Sequence, residues 1–270
     1  MTPHPWCRLL LTPILGMLLA QGRVASAQNP DSVDKQQIIE AIRFEGVKGL
    51  DEEELRSKMG LKAKVAYDED ALKSDKLVIE RSLQDQGYPF VRVQKVSGKL
   101  GPAGHLILTF VIDSGDLYHI AEVKLIGNEA FKSREIAPAT HATAGKIYSG
   151  SDIKADEKMI THFYGARGYA DATVETQLLE VRRGSMRTTY DITERKKSLF
   201  QAIQISGNAK VKEEDIRKEF KLASGDVFNT VLIEQCRQAL MQTGLFESVE
   251  ISTPDAKPGF KNLVVTVVEK

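Results

Sequence analysis

The sequence predicts an α+β protein made of three tandem β-α-α-β-β repeats, each a small three-stranded sheet packed on two helices. Three sets of landmarks carry that reading. Gly46, Gly127 and Gly207 lie 81 and 80 residues apart, and each closes an alternating apolar stretch. Tyr67, Tyr148 and Phe228 return at the same two spacings. Gly87, Gly168 and Gly244 follow at 81 and 76. A period of this length marks a tandem array of small domains.

The elements of one repeat can be read in order. "IIEAIRFEG", "YHIAEVKLIG" and "FQAIQISG" alternate like half-buried strands. Each ends at a glycine, which suits an exit turn because it has no Cβ to clash at positive φ. In the first repeat "LDEEELRSKMG" offers Asp51 as N-cap, an acidic first turn and Gly60 as a stop. "ALKSDKLVIERSLQDQG" puts Leu72, Ile79 and Leu83 on one helical stripe and stops at Gly87. The third repeat is four residues shorter in this helix, about one turn, so its apolar face still points inward. "PFVRVQKV", "ADATVETQLLEV" and "FESVEIST" then alternate as second strands. "HLILTFVID", "MRTTYDIT" and "NLVVTVVE" supply the third. The expected division is a leader over 1–27, a linker over 28–37, and repeats over 38–115, 116–196 and 197–270.

The N-terminus has a different composition. A short positive opening with Arg8 precedes an apolar run from Leu9 to Ala20, and Ala25-Ser26-Ala27 forms an A-x-A cleavage site. That order is a secretory signal peptide. The competing reading is a retained anchor, but the run is shorter than the roughly 20 residues of a span and contains Pro13 and Gly16. Cleavage would remove Arg8, Arg23 and Cys7. Cys236 would then be the only cysteine, which rules out an intramolecular disulfide. Lys plus Arg and Asp plus Glu are balanced at 37 each, so no global basic field calls for nucleic acid.

Reactive constellations do not emerge. His4, His105, His119, His141 and His162 have no metal-ligand spacing. No nucleophile elbow, P-loop or dinucleotide fingerprint is present. Cys236 lies eight residues before its helix-ending glycine, as Ile79 and Ile160 do, and reads as a small buried hydrophobe. "DEEE" at 51–54 complements a helix dipole, and "ERKK" at 194–197 reads as a solvated linker, with docking of an anionic partner or lipid head groups as the alternative. No cofactor and no catalytic or metal site is expected.

"FVIDSGDLYHIAEVKLIGNEAF" has the order of last strand, acidic-Gly turn, aromatic, first strand and Gly-Asn. With "GYADATV" and "GLFESVEI" it resembles the polypeptide-transport-associated (POTRA) repeat. Within that family it looks most like the periplasmic arm of BamA-type outer-membrane assembly proteins. The likeness covers nearly all of residues 38–270. The first repeat departs, with Gly46-Val47 in place of Gly-Asn. The sequence runs to Lys270 at the last strand of the third repeat, so barrel-borne insertase activity is not carried over.

The resemblance implies that the second strand of each repeat is an exposed edge, open to an extended peptide by β-augmentation. The candidate edges are Phe90–Val96, Ala170–Leu178 and Phe246–Ser252. Their candidate binding residues are Val91, Arg92 and Val93; Ala172, Thr173, Val174 and Glu175; and Ser248, Val249 and Glu250. Pro89, Arg92 and Lys95 look protective, which leaves the second edge least guarded. The implied role is a non-enzymatic periplasmic binding module for unfolded outer-membrane polypeptides or assembly subunits, peripheral to the outer membrane. The alternative is a scaffold that holds subunits without touching clients. The mature protein should begin at Gln28 in the periplasm, shown by N-terminal sequencing, and carbonate should extract it; retention of residues 1–27 in carbonate-resistant membranes would overturn this.

Overall fold

Each repeat folds around its last strand. The computed structural model describes residues 37–47 and 51–270. The expected leader, its cleavage site and most of the linker lie outside the described residues. The first repeat contains β1 (Ile39–Glu45), α1 (Glu52–Lys58), α2 (Glu69–Asp85), β2 (Arg92–Leu100) and β3 (Leu106–Asp113). The second contains β4 (His119–Ile126), α3 (Ser133–Ile136), α4 (Gly150–Gly165), β5 (Thr173–Arg182) and β6 (Ser185–Thr193). The third contains β7 (Leu199–Ser206), α5 (Glu213–Phe220), α6 (Thr230–Gln242), β8 (Phe246–Ser252) and β9 (Phe260–Glu269). The sheet orders are β1-β3-β2, β4-β6-β5 and β7-β9-β8. In each, the first strand runs parallel to the last and the second runs antiparallel to it. The α+β class and the three-repeat plan are those expected from the sequence.

Alternation decides which face is buried. On β3, Leu106, Leu108, Phe110 and Ile112 are all buried. They meet Leu72, Ile79 and Leu83 of α2 in one core. Met186, Tyr190 and Ile192 meet Ile153, Ile160 and Tyr164 in the second repeat. Leu263, Val265 and Val267 meet Ile233, Cys236 and Leu240 in the third. Asp51 caps α1 by accepting from the Glu54 amide at 3.0 Å.

Gly127 shows why the first landmark is glycine. Its φ is +76°, and a Cβ there would stand 2.0 Å from the Ile192 carbonyl oxygen. Gly46 and Gly207 meet Ile112 and Val267 in the same way, at 2.0 and 2.1 Å. The exit of the first strand therefore passes directly over the end of the last.

The second helices start in register, with N-caps Asp68, Ser149 and Asn229. The turn missing from α6 is thus its last. Cys236 then stands where Asp75 and Asp156 stand, one turn before the isoleucines, and on the same stripe. Asp75 is buried and accepts from the Gly60 and Leu61 amides at 2.6 and 2.9 Å. Asp156 accepts from the His141 and Ala142 amides at 2.5 and 2.9 Å. The Cys236 thiol instead donates to the Glu219 carbonyl at 3.1 Å, and burial raises its pKa. All three side chains fasten the end of the first helix to the second.

The repeats are joined at the helix-ending glycines. The Tyr118 amide donates to the Gly87 carbonyl and the Ser198 amide to the Gly168 carbonyl, both at 2.8 Å. The Ser151 amide donates to Asp85 at 2.6 Å, and Phe90 meets Tyr118 edge to face. At the next junction the buried Lys261 pairs with Asp171 at 3.0 Å and Asp255 at 2.9 Å. Burial works against that charge, but hydrogen bonds to Asp255 and Asp171 outweigh it and its pKa is raised.

A carboxylate at the end of the last strand ties down the Gly-Asn turn. Glu194 accepts from the Ala130 amide at 2.9 Å and the Tyr164 hydroxyl at 2.8 Å. Glu269 accepts from the amides of Ala209, Lys210 and Val211. The Val211 and Lys210 bonds hold its pKa below the usual carboxylate value. A depressed folded value contributes stability above the unfolded value of about 4.3, and the contribution is lost as pH falls through the folded value. Glu269→Gln should lower the thermal midpoint at pH 7 and flatten its fall between about pH 5 and pH 3, as calorimetry across that window would show.

Candidate functional site

A three-stranded sheet has two edges, and these repeats treat them differently. The first strand's edge is closed where it starts. The Ile39 amide donates to the Val65 carbonyl at 2.9 Å, and the Lys64 amide returns to Ile39 at 2.7 Å. Ile120 exchanges the same bonds with Lys146 and Gly145, as does Phe200 with Asp226 and Gly225. On the other side, among the described residues no strand pairs with the outer edge of β2, β5 or β8.

The sequence-derived edge residues fall close to these strands, with a correction at two of them. Val91 and Ala172 precede β2 and β5 rather than lying in them. Both are buried, and their amides donate to the carbonyls of Tyr88 and Tyr169 at 3.2 Å. They have no N–H to offer a peptide. In these two repeats the chain makes one further turn after the helix-ending glycine, closed by those bonds, before it straightens. Arg92 and Val93 open β2; Thr173, Val174 and Glu175 open β5. Thr173 and Glu175 are exposed, while Val174 faces the core. Ser248, Val249 and Glu250 lie within β8, with Val249 buried. The first two edges run further than expected, to Leu100 and Arg182.

Guarding differs among the three. On β2 the Val93 amide donates to the Glu80 carboxylate at 2.9 Å, so a side chain from α2 already occupies the edge. A bulge between Val93 and Lys95 breaks the register there, and Arg92, Lys95 and Lys99 add charge. β8 has seven residues and carries Glu247 and Glu250. β5 has ten residues and exposes Leu178, Leu179 and Val181. Its Val174 pairs with Ile192 as Val93 pairs with Ile112. Glu80 has Thr161 as its counterpart, and the Thr161 hydroxyl donates to the Glu157 carbonyl instead. The Glu80 guard has no sequence signature, because it depends on how a helix side chain reaches around a sheet edge.

Other polar groups serve the fold. His141, Asp156 and Tyr190 form a network, with His141 Nδ1 2.7 Å and the Tyr190 hydroxyl 2.6 Å from Asp156. Burial first, and then the bond to Asp156, keep that phenol protonated. Asp156 is occupied by two amides as well, which makes the network an anchor for the loop. Among the described residues no group of three or more His, Cys, Asp or Glu is placed to hold a metal. Among them, too, no helix is long and apolar enough to cross a membrane.

Comparison with known proteins gives a consistent result. Residues 37–115, 118–195 and 199–270 each match the family model described as "POTRA: Surface antigen variable number repeat". A Treponema pallidum protein, provisionally named an outer membrane protein assembly factor, is 26% identical over 221 residues, covering 77% of this chain and 26% of its own length. The outer membrane protein assembly factor BamA of Nitratidesulfovibrio vulgaris is 21% identical over 247 residues, 86% of this chain and 31% of that protein. The chain thus spans between about a quarter and a third of the length of these relatives. The crystal structure of Haemophilus influenzae BamA POTRA3-5 superposes with a TM-score of 0.71 at 20% identity, covering 88% of this chain and 100% of that one. At that identity the likeness is one of fold.

Glu80→Ala should leave the fold intact and release the Val93 amide. Hydrogen–deuterium exchange at Val93 should then quicken roughly tenfold, the loss expected for one bond to a charged acceptor. Unchanged exchange would mean that Glu80 does not guard this edge.

Proposed function

The chain belongs to the POTRA family, and from that premise we propose that it is a non-enzymatic, exported periplasmic module of outer-membrane protein assembly. It docks extended polypeptides, whether unfolded outer-membrane clients or partner subunits, by adding them as a strand to β5. The observation that carries this reading is the asymmetry of the edges. β5 is the longest of the three second strands, lacks the Glu80-type guard, and exposes Leu178, Leu179 and Val181. Backbone pairing supplies affinity with little dependence on client sequence, and the exposed apolar side chains add contact area. The correspondence of Val174 with Val93 identifies Val174, and with it Thr176 and Leu178 at a period of two, as the residues whose amides face outward.

A scaffold that holds subunits without touching clients is the second reading. It is favoured by the junctions, where Gly87, Asp85, Gly168 and Asp171 fasten each repeat to the next.

Proline removes the amide and cannot complete a ladder. Val174→Pro and Leu178→Pro should each weaken binding of an unfolded outer-membrane protein segment by about fivefold per hydrogen bond lost, while Thr173→Ala should change it little. Fluorescence anisotropy measures the binding, and circular dichroism confirms the fold. If both proline variants fold and bind like the parent, docking on β5 is wrong and the scaffold reading replaces it.

A further inference from the structure

The second repeat contains a groove that the same positions fill in its neighbours. It lies between α3 and β4, on the side of the sheet opposite β5, and has a volume of about 530 Å³. Ala121, Val123, Leu125, Ala137, Thr140 and Ala142 supply its apolar lining. The three repeats can be laid on one another here without a gap. Leu55, Ile136 and Ile216 are all buried at spacings of 81 and 80, and Lys64, Gly145 and Gly225 all take positive φ at the same spacings.

On that register Ala137 replaces Arg56 and Arg217. Thr140 replaces Met59 and Phe220, and Ala142 replaces Leu61 and Leu222. Three large side chains are cut back at the three positions that line one groove. In the first repeat Arg56 lies over the Phe44 ring, 4.9 Å from its centroid. In the third, Arg217 reaches the Ile203 carbonyl at 3.4 Å. Val123 corresponds to Ile203 and lines the groove opposite Ala137, which has nothing to donate. Thr188, in register with Val123, stands where Leu108 and Leu263 stand, and its hydroxyl is buried without a hydrogen-bond partner. Pro138 adds to the opening by ending α3 after four residues.

The charge at the rim is also reversed. Arg134 stands where Glu53 and Glu214 stand, and among the described residues it makes no ion pair or hydrogen bond. The other charged groups are already paired: Glu122 with Arg187 at 2.6 Å and with Lys124 at 3.5 Å.

We propose that this groove is a second polypeptide-docking site, taking an extended segment in which a large apolar side chain has an acidic neighbour. The apolar side chain fills the space left by Ala137, Thr140 and Ala142. The carboxylate pairs with Arg134. The segment's backbone supplies to the β4 edge the donor that Arg217 gives to β7. This site is independent of docking on β5, since the two lie on opposite edges of one sheet and either can fail alone.

The probe is a fluorescein-labelled heptapeptide of alternating Val and Thr with a central Phe and an Asp beside it. It is titrated into the mature chain, and amide shift changes report where it sits. The expected result is saturable binding with shifts in β4 and α3. Ala137→Arg, which restores the neighbours' residue, should abolish it, as should Ala142→Leu with Thr140→Met. Arg134→Glu lies on the surface and should weaken binding about fivefold with no change in melting temperature. Loss of the β5 shifts alone in Val174→Pro would separate the two sites. The proposal is overturned if the peptide does not shift β4, if Arg134→Glu binds it as well as the parent, or if the groove takes sodium laurate and not the peptide. The last outcome would make the occupant an anionic amphiphile.

Discussion

The parallel pairing of the first strand with the last is the constraint from which the rest of each repeat follows. Two parallel neighbours cannot be joined by a tight turn, so the chain must leave the sheet and return. Here it returns through two helices and an intervening strand. That strand pairs on the far side of the last one, which makes it an edge. The close approach of Gly46, Gly127 and Gly207 to the end of the last strand is the local mark of the same pairing. An open edge is thus a consequence of the topology. What each repeat adds is the degree to which that edge is guarded.

The protein uses one scaffold three times and varies what hangs on it. The buried link between the helices is Asp75 in one repeat, Asp156 in the next and the Cys236 thiol in the third. A carboxylate takes two amides, while a thiol makes one weak bond, so the third repeat replaces an ionic clamp with an apolar one. The second repeat differs from its neighbours at both edges. It has the least guarded second strand, β5, on one side and the groove beside β4 on the other. Its core is held by aromatic groups instead, with Phe131, Tyr164 and Tyr169 in mutual edge-to-face contact. Those rings keep the repeat filled near the Gly-Asn turn, away from the small residues of the groove.

The three repeats are joined by backbone as well as side chains at each junction. The amide of the residue just before the next repeat's first strand donates to the carbonyl of the helix-ending glycine. Side chains then differ, an aromatic pair at the first junction and a partly buried ion pair at the second. Each repeat is thus tied to the next by a backbone hydrogen bond and by a side-chain contact of its own. For that reason the binding and scaffold readings share one structure and differ in whether β5 takes a strand at all.

The sequence by itself determined the repeat, the order of elements, the core stripes and that Cys236 is buried, although Cys236 stands one turn before the isoleucines and not in their place. These depend on periodicities of 2 and 3.6 and on glycines at fixed spacing, all of which are local along the chain. It also placed the edges to within a few residues at their starts, although Val91 and Ala172 fell on the wrong side of the turn. Tertiary structure alone decided that Glu80 closes the first edge, that Glu269 and Glu194 hold the Gly-Asn turns, and that Lys261 joins two repeats. It also decided that Ala137, Thr140 and Ala142 border one empty space. The substitutions were visible as letters at the repeat spacing, but nothing in the letters says that those three positions face β4 across one groove. That follows only once the parallel pairing folds the first helix back over the first strand, because contacts between residues distant in sequence are set by packing rather than by local pattern.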